Sequence, residues 1–421
     1  MVKQKSMILL LFLPVLLIFT SFFLATPDQI LNGISRIVVS PSLLLTDYLL
    51  VGGLGATLLN AGLCGFAAVL MMLICRVDVN GPFIAAVYTV TGFAFFGKNI
   101  FNIWPVLAGV YLFSLYQKAP YRNNLLVALF GTTLAPLVSY FSFGAGLSPA
   151  SGIATGILFG LASGFILPAM ASHMLRFHNG YNIYNVGFTG GIIGSFIVAN
   201  ARSFGFEINP SYMLAEEFDL FFRIFLSFVF LFLMCAGFFF SRSGTQGLMQ
   251  PLKRIHRSTG RLISDFTIVG GYPATFFNMG FMGMVSMLFV FLVGGSINGP
   301  VIGGILTVVG FSAFGKHVRN CLPILLGVVI ASFMKIWETS ATEVIIAGLF
   351  GTTLAPVAGQ YGFAAGIAAG FFHLSIVMNV GLLHGGINLY NNGFAGGFVA
   401  AFLVPVIDFI KRHGENDEVR N

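Results

Sequence analysis

The amino-acid sequence predicts an all-α polytopic membrane protein with about fourteen membrane segments, arranged as two inverted repeats of seven segments. Three observations support this prediction. The composition is too apolar for a soluble chain, the apolar runs have the lengths of helices, and motifs of the first half recur in order in the second half. Some runs are short, so half-helices or re-entrant segments are expected among them.

Composition predicts the membrane environment. Hydrophobic residues make up 57% of the 421 positions and charged residues only 8%. A soluble chain of this length needs a charged surface, so the lipid bilayer is the expected surrounding. The apolar runs are continuous rather than alternating, which favours helices over a transmembrane barrel. The net charge of +7 comes from short basic loops, and nucleic acid is not an expected partner.

The candidate membrane segments are fourteen apolar runs. The first run resembles a signal peptide, but a similar run precedes the second half, so we interpret it as the first membrane helix. The runs span approximately residues 7–25, 45–75, 82–97, 100–117, 123–144, 151–172, 185–201, 220–240, 266–294, 300–315, 321–334, 342–363, 365–383 and 389–410.

The distribution of Lys and Arg predicts the orientation of these segments. With a cytoplasmic N-terminus and alternating sides, all but five of the 21 Lys and Arg residues fall inside. This is the positive-inside pattern, so both termini are predicted to be cytoplasmic, in the inner or plasma membrane. The five residues outside are Arg36, Lys98, Arg202, Arg223 and Lys335.

The two halves of the chain share sequence motifs at matching positions, which we call equivalent positions. So many matches in the same order indicate an internal duplication. Residues 1–205 are predicted to form the first repeat and residues 206–421 the second. The main matches are Asn-Gly-Pro at 80–82 and 298–300, Leu-Phe-Gly-Thr-Thr-Leu-Ala-Pro at 129–136 and 349–356, and the segments 182–191 and 388–397.

The number of segments in each half determines their relative orientation. Seven is odd, so the second half enters the bilayer from the side opposite to the first. Secondary transporters and several solute channels are built from inverted repeats of this kind. The sequence therefore predicts a pathway at the interface of the two repeats.

The motif Asn-x-Gly-Phe/Leu-x-Gly occurs four times. Glycines three apart share one helix face and let another backbone or a solute approach closely. Two interpretations stay open, namely helix packing and a narrow pathway lined by Asn amides. The pathway candidates are Asn60, Gly62, Asn278, Gly280, Asn185, Gly187, Asn391 and Gly393.

Two further motifs mark helix irregularities. Asn before Pro is a helix-start signal, so 80–82 and 298–300 are expected either to begin two short helices near the midplane or to be ordinary starts at the surface. In the Thr-Thr motif, the hydroxyls either satisfy carbonyl groups freed by the following Pro or bind a solute. The pathway candidates here are Thr132, Thr133, Thr352 and Thr353.

Paired titratable residues are the candidates for ion or proton coupling. A His near the membrane edge titrates near neutral pH or anchors the helix at the interface, and a helix N-terminal Asp is either a cap or a coupling site. Lys98 and Lys316 end apolar runs, so both are expected to snorkel to the interface. The coupling candidates are Asp47, Asp265, His178 and His384.

Several function classes lack their sequence signatures. The chain has no Walker motif, no HExxH and no GxSxG, and its longest polar loop, about 241–262, is too short for a soluble catalytic domain. None of the four cysteines forms a CxxC pair, so buried free thiols are expected. An enzyme, a cofactor and a metal site are not expected.

The whole chain resembles a family of bacterial multi-pass membrane proteins of unknown function, through the Leu-Phe-Gly-Thr-Thr-Leu-Ala-Pro motif and Tyr-Asn-x-Gly-Phe-x-Gly-Gly at 184–191 and 390–397. Residues 60–70 are also similar to the Asn-Gly-Leu-x-Gly-Phe-Asn-Gly-Val-Leu stretch of urea transporters, although Ala67 replaces the second Asn. The seven-plus-seven count resembles nucleobase and anion transporters with short third and tenth helices. The first resemblance brings no activity with it. The other two are to transporters and inverted-repeat solute channels, and they do not identify the solute.

The function predicted from the sequence is a transporter or channel for a small polar solute. Two alternatives stay open: an ion-coupled carrier of a small anion or nucleobase-like solute, and a membrane-embedded enzyme or sensor. Pairing of Asp, His, Lys and Asn across the halves favours transport, because catalytic sites are rarely symmetric. The expected partners are the bilayer and the solute, with a homo-oligomer as a further possibility.

Overall fold

The computed structural model describes residues 2–241, 244–262 and 264–418. The predicted cytoplasmic ends at Met1 and residues 419–421 lie outside the described residues. The described part is helical and contains no strand, only an isolated bridge between Thr46 and Met213. The all-helical fold class predicted from the apolar runs is therefore confirmed.

The helices follow the same order in the two halves, so that each helix of the first half has a counterpart eight places later. The first half contains α1 (Val2–Leu24), α2 (Pro27–Val39), α3 (Leu54–Ile74), α4 (Gly81–Phe93), α5 (Ile103–Tyr116), α6 (Leu125–Gly144), α7 (Pro149–His178) and α8 (Asn185–Ser203). The second half contains α9 (Asp219–Phe240), α10 (Gly244–Arg257), α11 (Gly271–Leu292), α12 (Gly299–Phe311), α13 (Val318–Met334), α14 (Thr342–Tyr361), α15 (Phe363–Val380) and α16 (Asn391–Glu418).

Helix lengths separate spanning helices from shorter ones. Within the described residues, nine helices are long and apolar enough to cross a bilayer: α1, α3, α6, α7, α9, α11, α14, α15 and the Asn391–Lys411 part of α16. Four others, α4, α5, α12 and α13, are apolar but shorter. These helices indicate a membrane protein, and the short ones fit the expectation of incomplete spans.

The amphipathic helices α2 and α10 lie outside the predicted apolar runs. Thr26 and Gln29 form a capping box at the start of α2, and its apolar side buries Ile30 and Ile37. Helix α10 carries basic residues in its last turn. Continuous apolar runs do not predict either helix, because the apolar residues of each helix cover one face only.

The Asn-Gly-Pro motifs begin α4 and α12, which confirms them as helix starts. Asn80 Oδ1 accepts from Phe83 N at 3.0 Å, and Asn298 Oδ1 accepts from Val301 N at 3.1 Å. Each helix has 13 residues, roughly 20 Å of rise. They run antiparallel against each other, with Gly92 close to Gly303, so no side chain separates the two backbones there.

The same helix pairs form in both halves. Helix α1 packs on α3 as α9 packs on α11, and α5 packs on α7 as α13 packs on α15. Gly62 faces Pro14 and Ile18 of α1, while Gly280 faces the α9 backbone. The halves meet where α4 crosses α12 and where α8 crosses α16.

Helices α6 and α14 change to a 3₁₀ turn at the Thr-Thr motif, over Thr132–Leu134 and Thr352–Leu354. Thr132 Oγ1 donates to Leu129 O at 2.6 Å, and Thr352 Oγ1 donates to Leu349 O at 2.5 Å. The first threonine of each motif therefore stabilises the irregular turn, although the carbonyl group it binds is not one that the following Pro frees.

The segment between α8 and α9, which we call the linker (residues 206–218), runs along residues 44–47. Met213 N donates to Leu45 O, and Asp47 N donates to Met213 O, both at 2.9 Å. Ala215 N adds a bond to Asp47 Oδ2 at 3.1 Å. The linker thus covers the end of the molecule where α4 ends and α12 begins.

Candidate functional site

Two buried lysines lie at the contact between the halves. Lys98 and Lys316 are both 0% exposed, so the expectation that they snorkel to the interface was wrong. Lys98 Nζ donates to Tyr390 Oη at 2.6 Å. Lys316 Nζ donates to Tyr184 Oη and, at 2.7 Å, to Thr352 Oγ1. Each lysine therefore binds a tyrosine of the opposite half.

The local fold turns each lysine inward. The turns that follow α4 and α12 contain Gly97 (φ +95°) and Gly315 (φ +112°), in a left-handed region that suits glycine. The following lysine N–H donates back to the helix at Phe93 O and Phe311 O. The side chain is thereby directed into the centre instead of along the helix axis.

The surroundings of both lysine ammonium groups are aromatic. Lys98 Nζ lies 5.3 Å from the Phe93 ring centroid and 4.7 Å from that of Tyr390. Lys316 Nζ lies 4.5 Å from the Tyr184 centroid and 5.4 Å from that of Phe311. Among the described residues no carboxylate forms an ion pair with either lysine. Lysines buried in a membrane protein without a carboxylate partner point to function.

Asn60 and Asn278 hold the ends of α4 and α12. Asn60 Nδ2 donates to Ala94 O at 2.8 Å and Lys98 O at 2.9 Å. Asn278 Nδ2 makes the equivalent bonds to Ser312 O and Lys316 O at 2.8 and 2.9 Å. Each amide is used within its own half, and the structure does not bring the two together. Their place in a pathway stays a prediction.

Asn60→Ala and Asn278→Ala are each expected to lower the free energy of unfolding by about 2–4 kcal/mol, because each leaves two buried carbonyls without a donor. The effect should be larger for Asn60, whose Oδ1 also accepts from Ile100 N. Thermal melting of detergent-solubilised protein measures this. In the control, Asn379→Ala removes an exposed bond within one helix and should change stability by about 0.5 kcal/mol at most. Equal shifts in melting temperature for all three variants would contradict the role of Asn60 and Asn278 in holding the ends of α4 and α12.

The second threonine of each motif links the two halves. Thr133 Oγ1 donates to Asn388 Oδ1 at 2.6 Å, and Asn388 Nδ2 donates to Gly187 O at 3.2 Å. The equivalent chain runs from Thr353 to Asn182 at 2.5 Å and from Asn182 to Gly393 O at 2.8 Å. The threonines and glycines are predicted pathway residues, whereas the two asparagines that join them were not among the candidates.

The candidate histidines pair with the candidate asparagines of α8 and α16. His178 Nε2 lies 3.0 Å from Asn185 Oδ1, and His384 Nε2 lies 2.9 Å from Asn391 Oδ1. Both imidazoles are buried, and both Nδ1 atoms lack a hydrogen-bond partner. Neither His lies at an exposed membrane edge, and a role in coupling stays a prediction. His373 makes a similar bond to Asn392 Oδ1.

The candidate aspartates each hold the start of the opposite half's short helix. Asp47 Oδ2 accepts from Gly299 N at 2.9 Å, and Asp265 Oδ1 accepts from Gly81 N at 3.2 Å. Each also caps a short helix of its own half, at Leu49 N and Thr267 N. The capping interpretation is therefore confirmed, and coupling remains a prediction. Asp47 is fully buried, whereas Asp265 is half-buried.

Two cavities lie at opposite ends of the crossed helices α4 and α12. The first cavity, about 430 Å³, lies at the Asp265 end, and the second, about 200 Å³, lies beside the linker. The second cavity is lined at Leu44, Phe96, Ile346, Phe350, Leu389, Asn391 and Asn392. The equivalent positions Leu262, Phe314, Leu126, Phe130, Ile183, Asn185 and Val186 line the first.

The cavities approach each other at three side chains. Phe350, Leu389 and Asn392 line both cavities, so these residues, which we call the barrier, form a shared wall. Of the predicted pathway residues, Asn185, Gly187 and Gly393 line the first cavity and Asn391 lines the second. Asn60, Gly62, Asn278, Gly280 and the four threonines lie outside both linings.

No group of three metal-ligating side chains occurs in the part of the chain that the structure describes. The fold and the site thus define an all-helical protein of the membrane class, whose halves contribute equivalent residues to a buried centre.

The chain belongs to the family described as "Protein of unknown function (DUF1576)", whose model matches residues 26–203 and 245–409. The two matched segments cover α2 to α8 and most of α10 to α16. Membership confirms the resemblance to a family of unknown function. No curated protein and no solved structure matches the chain.

Proposed function

We propose that the protein is a transporter that moves a small solute between the two cavities by alternating access. In this proposal, residues 1–205 and 206–421 form inverted repeats with about fourteen membrane segments. Both termini lie in the cytoplasm, and the protein resides in the cell membrane. The proposal concerns transport rather than catalysis, and a homo-oligomer is compatible with it.

The observation that carries the proposal is the equivalence of the two cavities. Seven residues that line the first cavity are equivalent to seven that line the second, although the two cavities differ about twofold in volume. An inverted repeat can exchange the conformations of its two halves, which turns an open cavity on one side into an open cavity on the other. In this proposal, we assign the larger cavity to the open conformation of its half and the smaller cavity to the closed one.

The barrier favours a carrier over a continuously open channel. Phe350 is 4% exposed, and its ring stacks on Phe93 with centroids 5.1 Å apart. Solute passing from one cavity to the other must cross this apolar contact. The half-buried Asp265 at the first cavity and the covered Asp47 at the other end fit an inward-open arrangement.

Cysteine labelling tests this proposal with two equivalent positions, Leu126→Cys in the first cavity and Ile346→Cys in the second. In a variant lacking the four native cysteines, a membrane-impermeant thiol reagent should modify Leu126→Cys from the cytoplasmic side only. Ile346→Cys should react from outside only, and more slowly because the second cavity is narrower. The cysteine-free parent is the control.

Two outcomes would contradict the proposal in different ways. Labelling of both positions from the same side would rule out inverted cavities. Rapid labelling of each position from both sides would indicate an open channel.

A further inference from the structure

We propose that the first cavity binds a planar aromatic solute carrying a negative charge, with Lys98 and Lys316 supplying the charge selectivity. This inference rests on the proposed function for the direction of transport, but the binding site itself is argued from the cavity alone. Two features carry it: the rings that line the cavity and the two lysine side chains behind them.

The wall of the first cavity is built from aromatic rings in equivalent pairs. Flat rings offer stacking and edge contacts that favour another planar π-system over a saturated solute of the same volume. A volume of about 430 Å³ lies in the range that holds a small organic molecule. The six paired rings are Phe93, Phe311, Phe130, Phe350, Tyr184 and Tyr390.

The charge of the solute follows from the lysines. An aromatic wall by itself would suit an organic cation. Here, however, Lys98 lies over Phe93 and Tyr390, and Lys316 lies over Tyr184 and Phe311, all of which line the cavity. In their protonated form, these two lysines behind the wall repel a cation and attract an anion. A solute on these rings comes within roughly 10 Å of an ammonium group, which at an effective dielectric constant of about 20 gives a roughly tenfold preference for the anion.

Each tyrosine phenol oxygen accepts a hydrogen from a lysine, which holds the lysine side chain against the aromatic wall. The carboxylate of the lining, Asp265, lies at the start of α4. Its Oδ1 already accepts from Gly81 N, Thr267 N and Thr267 Oγ1 at the positive end of α4.

Three ligands with the same ring and different charges test the inference on purified protein: nicotinate, nicotinamide and 1-methylnicotinamide at pH 7. Cyclohexanecarboxylate serves as the non-planar anion. Ligand-induced increases in melting temperature give the apparent affinities. Nicotinate should bind about tenfold more tightly than nicotinamide, and neither 1-methylnicotinamide nor cyclohexanecarboxylate should stabilise the protein at comparable concentrations.

The lysine variants identify the source of the preference. In Lys98→Met with Lys316→Met, nicotinate should lose its advantage while nicotinamide binds as before. If the double variant does not fold, the two single variants are measured in its place. The comparison of the four ligands on the wild-type protein tests the inference even without a variant. A cation or saturated anion binding as well as nicotinate, or no stabilisation by any flat ligand, would overturn the inference. Because binding is measured without a membrane, these results are independent of the labelling test of transport.

Discussion

The double substitution Asn182→Ala with Asn388→Ala is expected to weaken the contact between the two halves and to leave little folded protein. Each Asn accepts from a threonine hydroxyl and a tyrosine N–H, and donates to a glycine carbonyl of the opposite half. Removing it leaves several buried polar groups unpaired, at about 3 kcal/mol for each site. The sum approaches the total stability of many proteins, roughly 5–15 kcal/mol.

Melting of the single and double variants in detergent measures this loss. Asn200→Ala is the matched control, because its amide bonds to Phe196 O within one exposed helix turn. The control should melt like the wild type. A double variant that melts within a few degrees of the control would show that the two equivalent links do not hold the halves together.

On the proposed mechanism, Phe350→Ala is expected to join the two cavities and open a passive leak between them. Phe350 belongs to the barrier, and its truncation removes the ring that separates the two volumes. Passive entry of a small neutral solute such as glycerol into proteoliposomes should rise by about tenfold or more, since an open path needs no conformational change. Swelling rates measured by light scattering report this flux.

The equivalent substitution Phe130→Ala is the control for Phe350→Ala. Phe130 packs on Phe311, as Phe350 packs on Phe93, but it lines only the first cavity. Its truncation enlarges that cavity without opening the barrier, so swelling should stay at the wild-type rate. Equal leaks in both variants, or no leak in either, would contradict the placement of the barrier.

Sequence alone predicted those features that depend on local signals. The starts of α4 and α12 at Asn-Gly-Pro, the irregular turn at Thr-Thr and the capping aspartates all follow from residues close in the chain. The all-helical class followed from the apolar runs. Each of these depends on interactions within a few residues, which spacing can reveal.

The centre of the molecule could not be predicted in the same way. The Lys98–Tyr390 and Lys316–Tyr184 pairs join residues 292 and 132 positions apart, and no periodicity indicates such a partner. Both lysines end apolar runs, where snorkelling is the usual outcome. The available signal was their equivalence across the halves, because a lysine that recurs at the equivalent position of a second apolar segment points to the interior.

The linker has a consequence for the balance between conformations. Two identical halves would make the inward-open and outward-open states equal in free energy. Leu44 N bonds Gly386 O as Leu262 N bonds Gly180 O, but within the described residues only the first of these segments also carries the linker bonds. On the proposed mechanism, those bonds stabilise the state in which the second cavity is closed. A difference of about 1.4 kcal/mol shifts the populations tenfold. On this mechanism, the linker determines which conformation is more populated at rest, because two equivalent halves alone would favour neither.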